Sequence, residues 1–263
     1  MQDATVPDQK PRSKHRGRNI AIGVVIAIVL LIAAFFIVDR VVRSYAEGQI
    51  KEQVATAFDL PSTDPVTVDL GDGSLILQAA TGTISDATIT VDPLTLDGVT
   101  GAVTMSATNI PLDQSKPIEK LTVDVSIPTS SIESKISEIP IVSSLNPKVA
   151  IDGQKVELTG SFSLFGAQIP VGMTLTPGVK NGEPTIAIDS ASVRGVTVSI
   201  DALETYIPAL SQLTGTSLCI ADALPKQLVL TDLTLTGDTA VYTLTGDGAS
   251  IDSLSQKGTC PSK

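Results

Sequence analysis

The stretch Leu121-Thr-Val-Asp-Val-Ser-Ile127 decides the fold. Its apolar side chains occupy every second position, with Thr, Asp and Ser between them. Successive side chains of an extended chain point to opposite faces, so this segment reads as a strand with one apolar and one polar face. Three residues further on, Ser130-Ser-Ile-Glu133 has the spacing of a capping box, and Ile132, Ile136 and Ile139 follow at helical intervals. A period of two running directly into a helical period predicts an α+β chain.

The same alternation recurs on both sides of this stretch. It appears at Leu75/Leu77, Ile89/Val91, Val103/Met105, Val156/Leu158, Ile169/Val171/Met173/Leu175, Ile186/Ile188, Val196/Val198/Ile200 and Tyr242/Leu244. Turn signals separate the runs: Asp72-Gly73, Asp97-Gly98, Asp152-Gly153, Asn181-Gly182 and Gly237-Asp238. Strands with one aliphatic and one Thr/Ser/Asp face predict a curved antiparallel sheet, wetted on one side and wrapped on a few amphipathic helices.

A second helix is predicted from Asp201, with Glu204 in the capping position and Leu203, Tyr206, Ile207 and Leu210 on its stripe. Pro140 and Pro208 interrupt the two helices at equivalent places. Val123-Asp-Val-Ser-Ile127 before the first helix parallels Val196-Thr-Val-Ser-Ile200 before the second, and Ile132-Glu-Ser-Lys-Ile136 parallels Leu203-Glu-Thr-Tyr-Ile207. Two readings stand: an internal duplication of a strand–helix–hairpin unit, or independent use of the same caps and β-branched strands.

Ahead of all this lies Ile20–Val38, an apolar run without charge, Asn or Pro. At ~1.5 Å per residue it reaches the ~30 Å thickness of a bilayer core. Lys10, Arg12, Lys14, Arg16 and Arg18 precede it, which places the N-terminus in the cytoplasm and the rest of the chain outside. A cleaved signal peptide is the alternative. The run is long for one, and Asp39, Arg40 and Arg43 separate it from the small-residue site Ser44-Tyr45-Ala46. The expected organisation is a disordered basic tail (1–19), a transmembrane anchor (20–38), an exported domain (39–250) and a C-terminal tail (251–263) in a single-pass cell-membrane protein. Val41, Tyr45, Ile50, Val54 and Phe58 predict an amphipathic helix after the anchor, ended by Leu60-Pro61.

The 263 residues carry a net charge of −10, and the tail is basic, so the exported part is more acidic still. That argues against nucleic acid as its partner and makes any lipid contact mainly apolar. The only histidine, His15, lies in the tail. The exported part therefore has no His base, no Ser-His-Asp or Cys-His pair, and no His ligand for zinc. It lacks phosphate-loop and dinucleotide-binding glycine patterns. Asp69, Asp72, Asp97, Asp152, Asp238 and Asp247 stand beside turn glycines, where a turn role is the economical one. No metal site, cofactor or catalytic residue is expected. Cys219 and Cys260 are the only cysteines. In an oxidising compartment such a pair bridges, here tying down the C-terminal tail; two buried free thiols are the alternative.

Many aliphatic strand faces and few helices leave two possibilities, an ordinary core or an apolar cleft for acyl chains. The candidate wall consists of Val123 and Val125, Ile132, Ile136 and Ile139, Ile186 and Ile188, Val196 and Val198, and Leu203, Tyr206 and Ile207.

The helix after the apolar run, Val68-Asp-Leu-Gly-Asp-Gly-Ser-Leu75 with Gly82-Thr-Ile-Ser, Ala107-Thr-Asn-Ile-Pro-Leu112, and Leu224-Pro225 before Leu228-Val-Leu-Thr-Asp-Leu-Thr-Leu-Thr-Gly237 form a recognisable set. Through these residues the chain, from about Tyr45 to Gly248, resembles the LmeA family of actinobacterial cell-envelope proteins. The resemblance implies a tubular lipid-binding-like fold, a phospholipid ligand, and a part in maintaining lipomannan-type lipoglycans beside an envelope glycosyltransferase. Retaining an anchor favours action close to the membrane. The leading expectation is a membrane-anchored phospholipid-binding protein without catalysis. A scaffold that recruits an envelope enzyme, with a dry core, is the alternative, and a carboxylate hydrolase is a distant third.

Overall fold

The computed structural model describes residues 15–96, 98–138, 145–164, 166–198, 221, 224–254 and 256–260; the side chains of residues 15–27, Phe162 and Leu164 are outside that description. The predicted second helix, with Leu203, Tyr206 and Ile207, lies outside it, as do Ile139, Ile200, both helix prolines and Cys219.

The apolar run and the amphipathic segment after it form one helix, α1 (His15–Ala57). Among the described residues no helix is long and apolar enough to cross a membrane, and the first part of Ile20–Val38 lies outside the described side chains. The C-terminal part of α1 packs Ala46, Ile50, Val54 and Phe58 against a core built on Val66, Val68, Val91 and Leu94.

The strands form two antiparallel sheets where the sequence predicted one. The first contains β1 (Val66–Asp69), β2 (Thr83–Leu96), β3 (Val99–Pro111), β4 (Lys120–Pro128), β10 (Val229–Thr236) and β11 (Thr239–Thr245), in the order β1-β2-β3-β4-β11-β10. The second runs β5-β6-β7-β8-β9, from β5 (Lys148–Asp152) through β6 (Lys155–Leu164), β7 (Ala167–Lys180) and β8 (Glu183–Val193) to β9 (Val196–Val198). Short α3 (Thr129–Ser137) joins β4 to the second sheet, and α4 (Ile251–Leu254) closes the described C-terminus.

Register turns the sequence alternation into faces. Val66, Val91, Val103, Val125, Tyr242 and Leu233 stand opposite one another across the first sheet, and so do Val68, Ile89, Met105, Val123, Leu244 and Leu230. The other face carries the row Thr67, Thr90, Thr104, Asp124, Thr243 and Asp232. Cross-strand hydrogen bonds tie that polar row together, Thr90 with Thr104 at 3.2 Å and Thr243 Oγ1 donating to Asp124 at 2.7 Å. In the second sheet Ile151, Val156, Leu175 and Ile188 form one apolar row, and Val149, Leu158, Met173, Ala191 and Val198 form the next.

Two sequence expectations are corrected. Leu75 and Leu77 belong to a helix, α2 (Leu75–Thr81), where alternation predicted a strand. Ser74 caps its N-terminus by accepting from Leu77 N, and Gly82 ends it in the left-handed region at φ 78°. Two leucines two apart are too short a pattern to outweigh a cap at each end. Ser130 and Glu133 do not form a capping box. α3 begins at Thr129, whose N–H is already satisfied by the Asp238 carbonyl at 2.8 Å, and Pro128 at the cap position makes no side-chain bond. Glu133 instead reaches the second sheet, accepting from Lys148 Nζ at 2.8 Å and from Val149 N at 3.1 Å.

Candidate functional site

The apolar faces of the two sheets enclose a cavity of about 530 Å³. β4 supplies Val125 and Ile127, α3 supplies Ile132 and Ile136, and β6 and β7 supply Val156, Leu158, Leu175 and Pro177. Pro184, Thr185 and Ile186 from β8, Leu224, and Leu230, Leu233, Leu235, Ala240, Tyr242 and Leu244 from the β10–β11 hairpin complete the wall. The volume falls within the ~300–1,000 Å³ of small-molecule sites. Among the described residues no charged side chain lines it. Burying an unpaired charge would be costly, so the wall excludes ionised groups and accepts hydrocarbon.

A second hollow of about 240 Å³ continues along β6 and β7, lined by Leu145, Pro147, Thr159, Gly160, Val171, Gly172 and Met173. Ile136 and Leu158 line both spaces. Gly160 is required where it stands: a Cβ there would lie 2.7 Å from the Leu145 carbonyl oxygen. That carbonyl also accepts from Ser161 N at 2.8 Å, so the chain before β5 is laced closely over β6.

The sheets meet along β10, the edge of the first sheet. Gln154, in the β5–β6 turn, donates to the Leu235 carbonyl at 3.2 Å and accepts from Leu235 N at 3.3 Å. Its amide thus stands in for a neighbouring strand and satisfies an exposed edge. At the start of β10, Val229 touches the β7–β8 turn, its Cγ1 only 3.0 Å from where a Cβ on Gly182 would sit. At the other side α3 is held by Glu133, whose carboxyl stays below its usual range because Lys148 and the Val149 N–H hydrogen-bond to its charged form.

Tyr242 supplies the one phenol among the described residues of the wall. Burial raises its ionisation above the ordinary value, so it is a neutral hydroxyl at any physiological pH. It has no hydrogen-bond partner among the described residues. Thr185 adds a second hydroxyl to the described wall, whose other described residues are apolar.

Of the residues singled out from sequence, the structure brings Val125, Ile132, Ile136 and Ile186 together in the cavity wall. Val123 is buried in the adjoining core with Leu121, Leu230 and Leu244. Ile188 is buried opposite Leu175 without reaching the lining. Val196 and Val198 sit on β9, the far edge of the second sheet, and Val196 is exposed. Val198 shares a row with Leu158, Met173 and Ala191 at the sheet's far edge and is not among the described residues of the cavity wall. The wall residues missed from sequence, among them Val156, Leu158, Leu175, Leu233 and Leu235, all alternate as strand residues do. Alternation identifies a face without saying which other face it meets.

At the opposite end of the first sheet, α1 clamps the segment before α2. Arg43 donates to the Gly71 and Gly73 carbonyls, each at 2.7 Å. Asp39 accepts from Ser74 Oγ at 2.7 Å and Ile76 N at 3.0 Å, and these bonds, led by the Ile76 N–H, hold its carboxyl below the usual range. Cys260 is not a free thiol, and its expected partner Cys219 lies outside the described residues. Among the described residues no group of three His, Cys, Asp or Glu is placed to hold a metal ion.

A family model described as LmeA-like phospholipid-binding matches residues 37–245, from just ahead of the Asp39–Arg43 clamp to the end of β11. No curated protein and no solved structure matches the chain.

Proposed function

The chain belongs to the LmeA-like phospholipid-binding family, and on that premise we propose that it holds the acyl chains of a phospholipid in the cavity between its two sheets, without catalysing a reaction. One observation carries the proposal: a cavity of about 530 Å³ whose described wall is almost wholly apolar and carries no charged side chain. The smaller hollow beyond Ile136 and Leu158 offers room for a second chain or for the end of a long one. A scaffold with a dry core would have no use for either space.

The Ile20–Val38 run is a membrane anchor with the N-terminus in the cytoplasm and the sheets outside. What supports this is the apolar length, the basic residues before it, and the exposed side chains of α1 from Ile28 to Leu31 and from Phe36 to Val38, which no other described element covers. In an oxidising exterior Cys260 bridges to Cys219. An anchored domain samples the adjacent lipid at high effective concentration, which suits local extraction or presentation better than long-range transport. Upkeep of lipomannan-type lipoglycans beside an envelope glycosyltransferase is the role we infer from the family resemblance.

Native mass spectrometry of the full chain, released from micelles after extraction from a membrane-containing host, tests the lipid reading. Discrete adducts of phospholipid mass are expected. Ile186→Asp puts a carboxylate into a partly exposed stretch of wall and should abolish those adducts, with an unchanged circular dichroism spectrum. A clean apo mass, with no uptake from added phospholipid, overturns the proposal.

A further inference from the structure

α2 sits where the apolar run of α1 stops. Asp39 is the first residue after that run, and it holds Ser74 Oγ and Ile76 N at 2.7 and 3.0 Å. Arg43, one turn further, holds the Gly71 and Gly73 carbonyls. α1 is helical without a break from the run into the domain. The first turn of α2 is therefore pinned at the level of the Val38–Asp39 boundary and cannot swing as if on a flexible linker.

Leu77 follows Ile76 directly and is 59% exposed. A side chain one residue beyond a group bonded to Asp39 lies within about 10 Å of it, at ~3.8 Å between successive Cα atoms. The headgroup layer on each side of a ~30 Å hydrocarbon core is about 5–8 Å thick. A bilayer that ends at Val38 thus places Leu77 in or against its headgroup layer. The charges at this level fit such a surface. Asp39 is buried and hydrogen-bonded to Ser74 and Ile76, with the Arg43 charge one turn away, so it is not presented to anionic heads. Arg40 is exposed on the same turn, with a long stem and a charged tip suited to lipid phosphate.

We propose that α2 is seated on the membrane surface, with Leu77 inserted among the lipid headgroups, so that the sheets are held in one orientation to the bilayer from which lipid is drawn. The inference rests on the anchor reading and adds a second, non-spanning contact to it.

The sequence contains no tryptophan, so single Trp substitutions are unambiguous reporters. Phe36→Trp marks the run, where Phe36 is 65% exposed; Leu77→Trp marks α2; and Val196→Trp marks β9, where Val196 is 67% exposed. Each full-length variant is reconstituted into phosphatidylcholine/phosphatidylglycerol vesicles whose acyl chains carry bromine close to the headgroups. The expected result is strong quenching of the probes at 36 and 77, with a blue-shifted emission at 77, and none at 196. Quenching at 36 with position 77 as bright as 196 overturns the seating of α2 and leaves the anchor standing. Equal quenching at 77 and 196 overturns the fixed orientation. An unquenched probe at 36 overturns the anchor reading and this inference with it.

Discussion

Tyr242 shows what one side chain can decide in a wall that otherwise repels polarity. Its ring takes its place in the apolar row between Val125 and Leu233, so the aromatic body belongs to the sheet. Its hydroxyl has no described partner and is free to donate to a ligand. A hydrogen bond is worth about 0.5–1.5 kcal/mol net, or roughly 2- to 10-fold in affinity. Tyr242→Phe should therefore weaken binding of lipids bearing an ester or carboxyl oxygen by about that factor, and leave binding of a plain hydrocarbon probe unchanged. Displacement of a fluorescent fatty acid, compared with displacement of a long alkane, measures the difference; equal losses for both would mean that the substitution disturbed packing instead. Burial raises the phenol's ionisation, so the affinity should not change with pH until the ordinary phenol range is passed. The residue was named in the sequence only as half of a Tyr242/Leu244 strand pair, because nothing local reports that its row ends at a cavity.

At the scale of the element, α3 matters because it lines the cavity and is tied to the second sheet through the Glu133 carboxylate. Glu133 accepts from Lys148 and Val149 N of β5, which fixes the positions from which Ile132 and Ile136 project. The folded protein holds this carboxyl below its unfolded value of 4.5. A group with a depressed folded value contributes its stabilisation above the unfolded value and loses it as pH falls through the folded one. Glu133→Gln should therefore lower stability at neutral pH, have a progressively smaller effect as pH falls below 4.5, and flatten the acid limb of a plot of thermal midpoint against pH. A loss of equal size at all pH values would place Glu133 outside that linkage. The strands, hairpin turns and single faces around this helix were legible because alternation and Asn-Gly or Asp-Gly turns are local signals. The four cavity residues recovered from sequence come from α3 and from the strands β4 and β8. Glu133 was misassigned because Ser-x-x-Glu spacing marks a cap only if the helix starts at the serine. Here β4 runs directly into the helix, and Asp238 satisfies the Thr129 N–H. For α2 a cap and an αL glycine overrode a two-residue alternation, and its second acceptor, Asp39, lies 37 residues from Ile76.

For the whole molecule, the order of the chain interlocks the sheets. It builds β1 to β4 in the first sheet, crosses through α3 to make β5 to β9 in the second, and returns with β10 and β11 to pair β11 against β4. The cavity wall is drawn from all three passes, so neither sheet has a complete core without the other. The exchange leaves both sequence readings standing, duplication or independent use of the same signals, because the second helix lies outside the described residues. It was not legible in advance, because pairing of Val125 with Tyr242 joins segments more than a hundred residues apart and leaves no local mark. Such interlocking predicts that the sheets open together. In hydrogen exchange followed by mass spectrometry on the full chain in micelles, peptides from β3–β4, β7–β8 and β10–β11 should share one opening free energy. The junction at Gln154 is the place to break that unity. Gln154→Ala removes both side-chain bonds to Leu235, a buried residue of an edge strand, at a cost of about 1–3 kcal/mol for the backbone groups left unsatisfied. Exchange at β10 should then rise by roughly 5- to 150-fold, and by less at β2 and β3, remote from the junction. Unchanged exchange at β10 would show that water takes over both bonds without loss, and that contacts such as Val229 against the β7–β8 turn hold the sheets together.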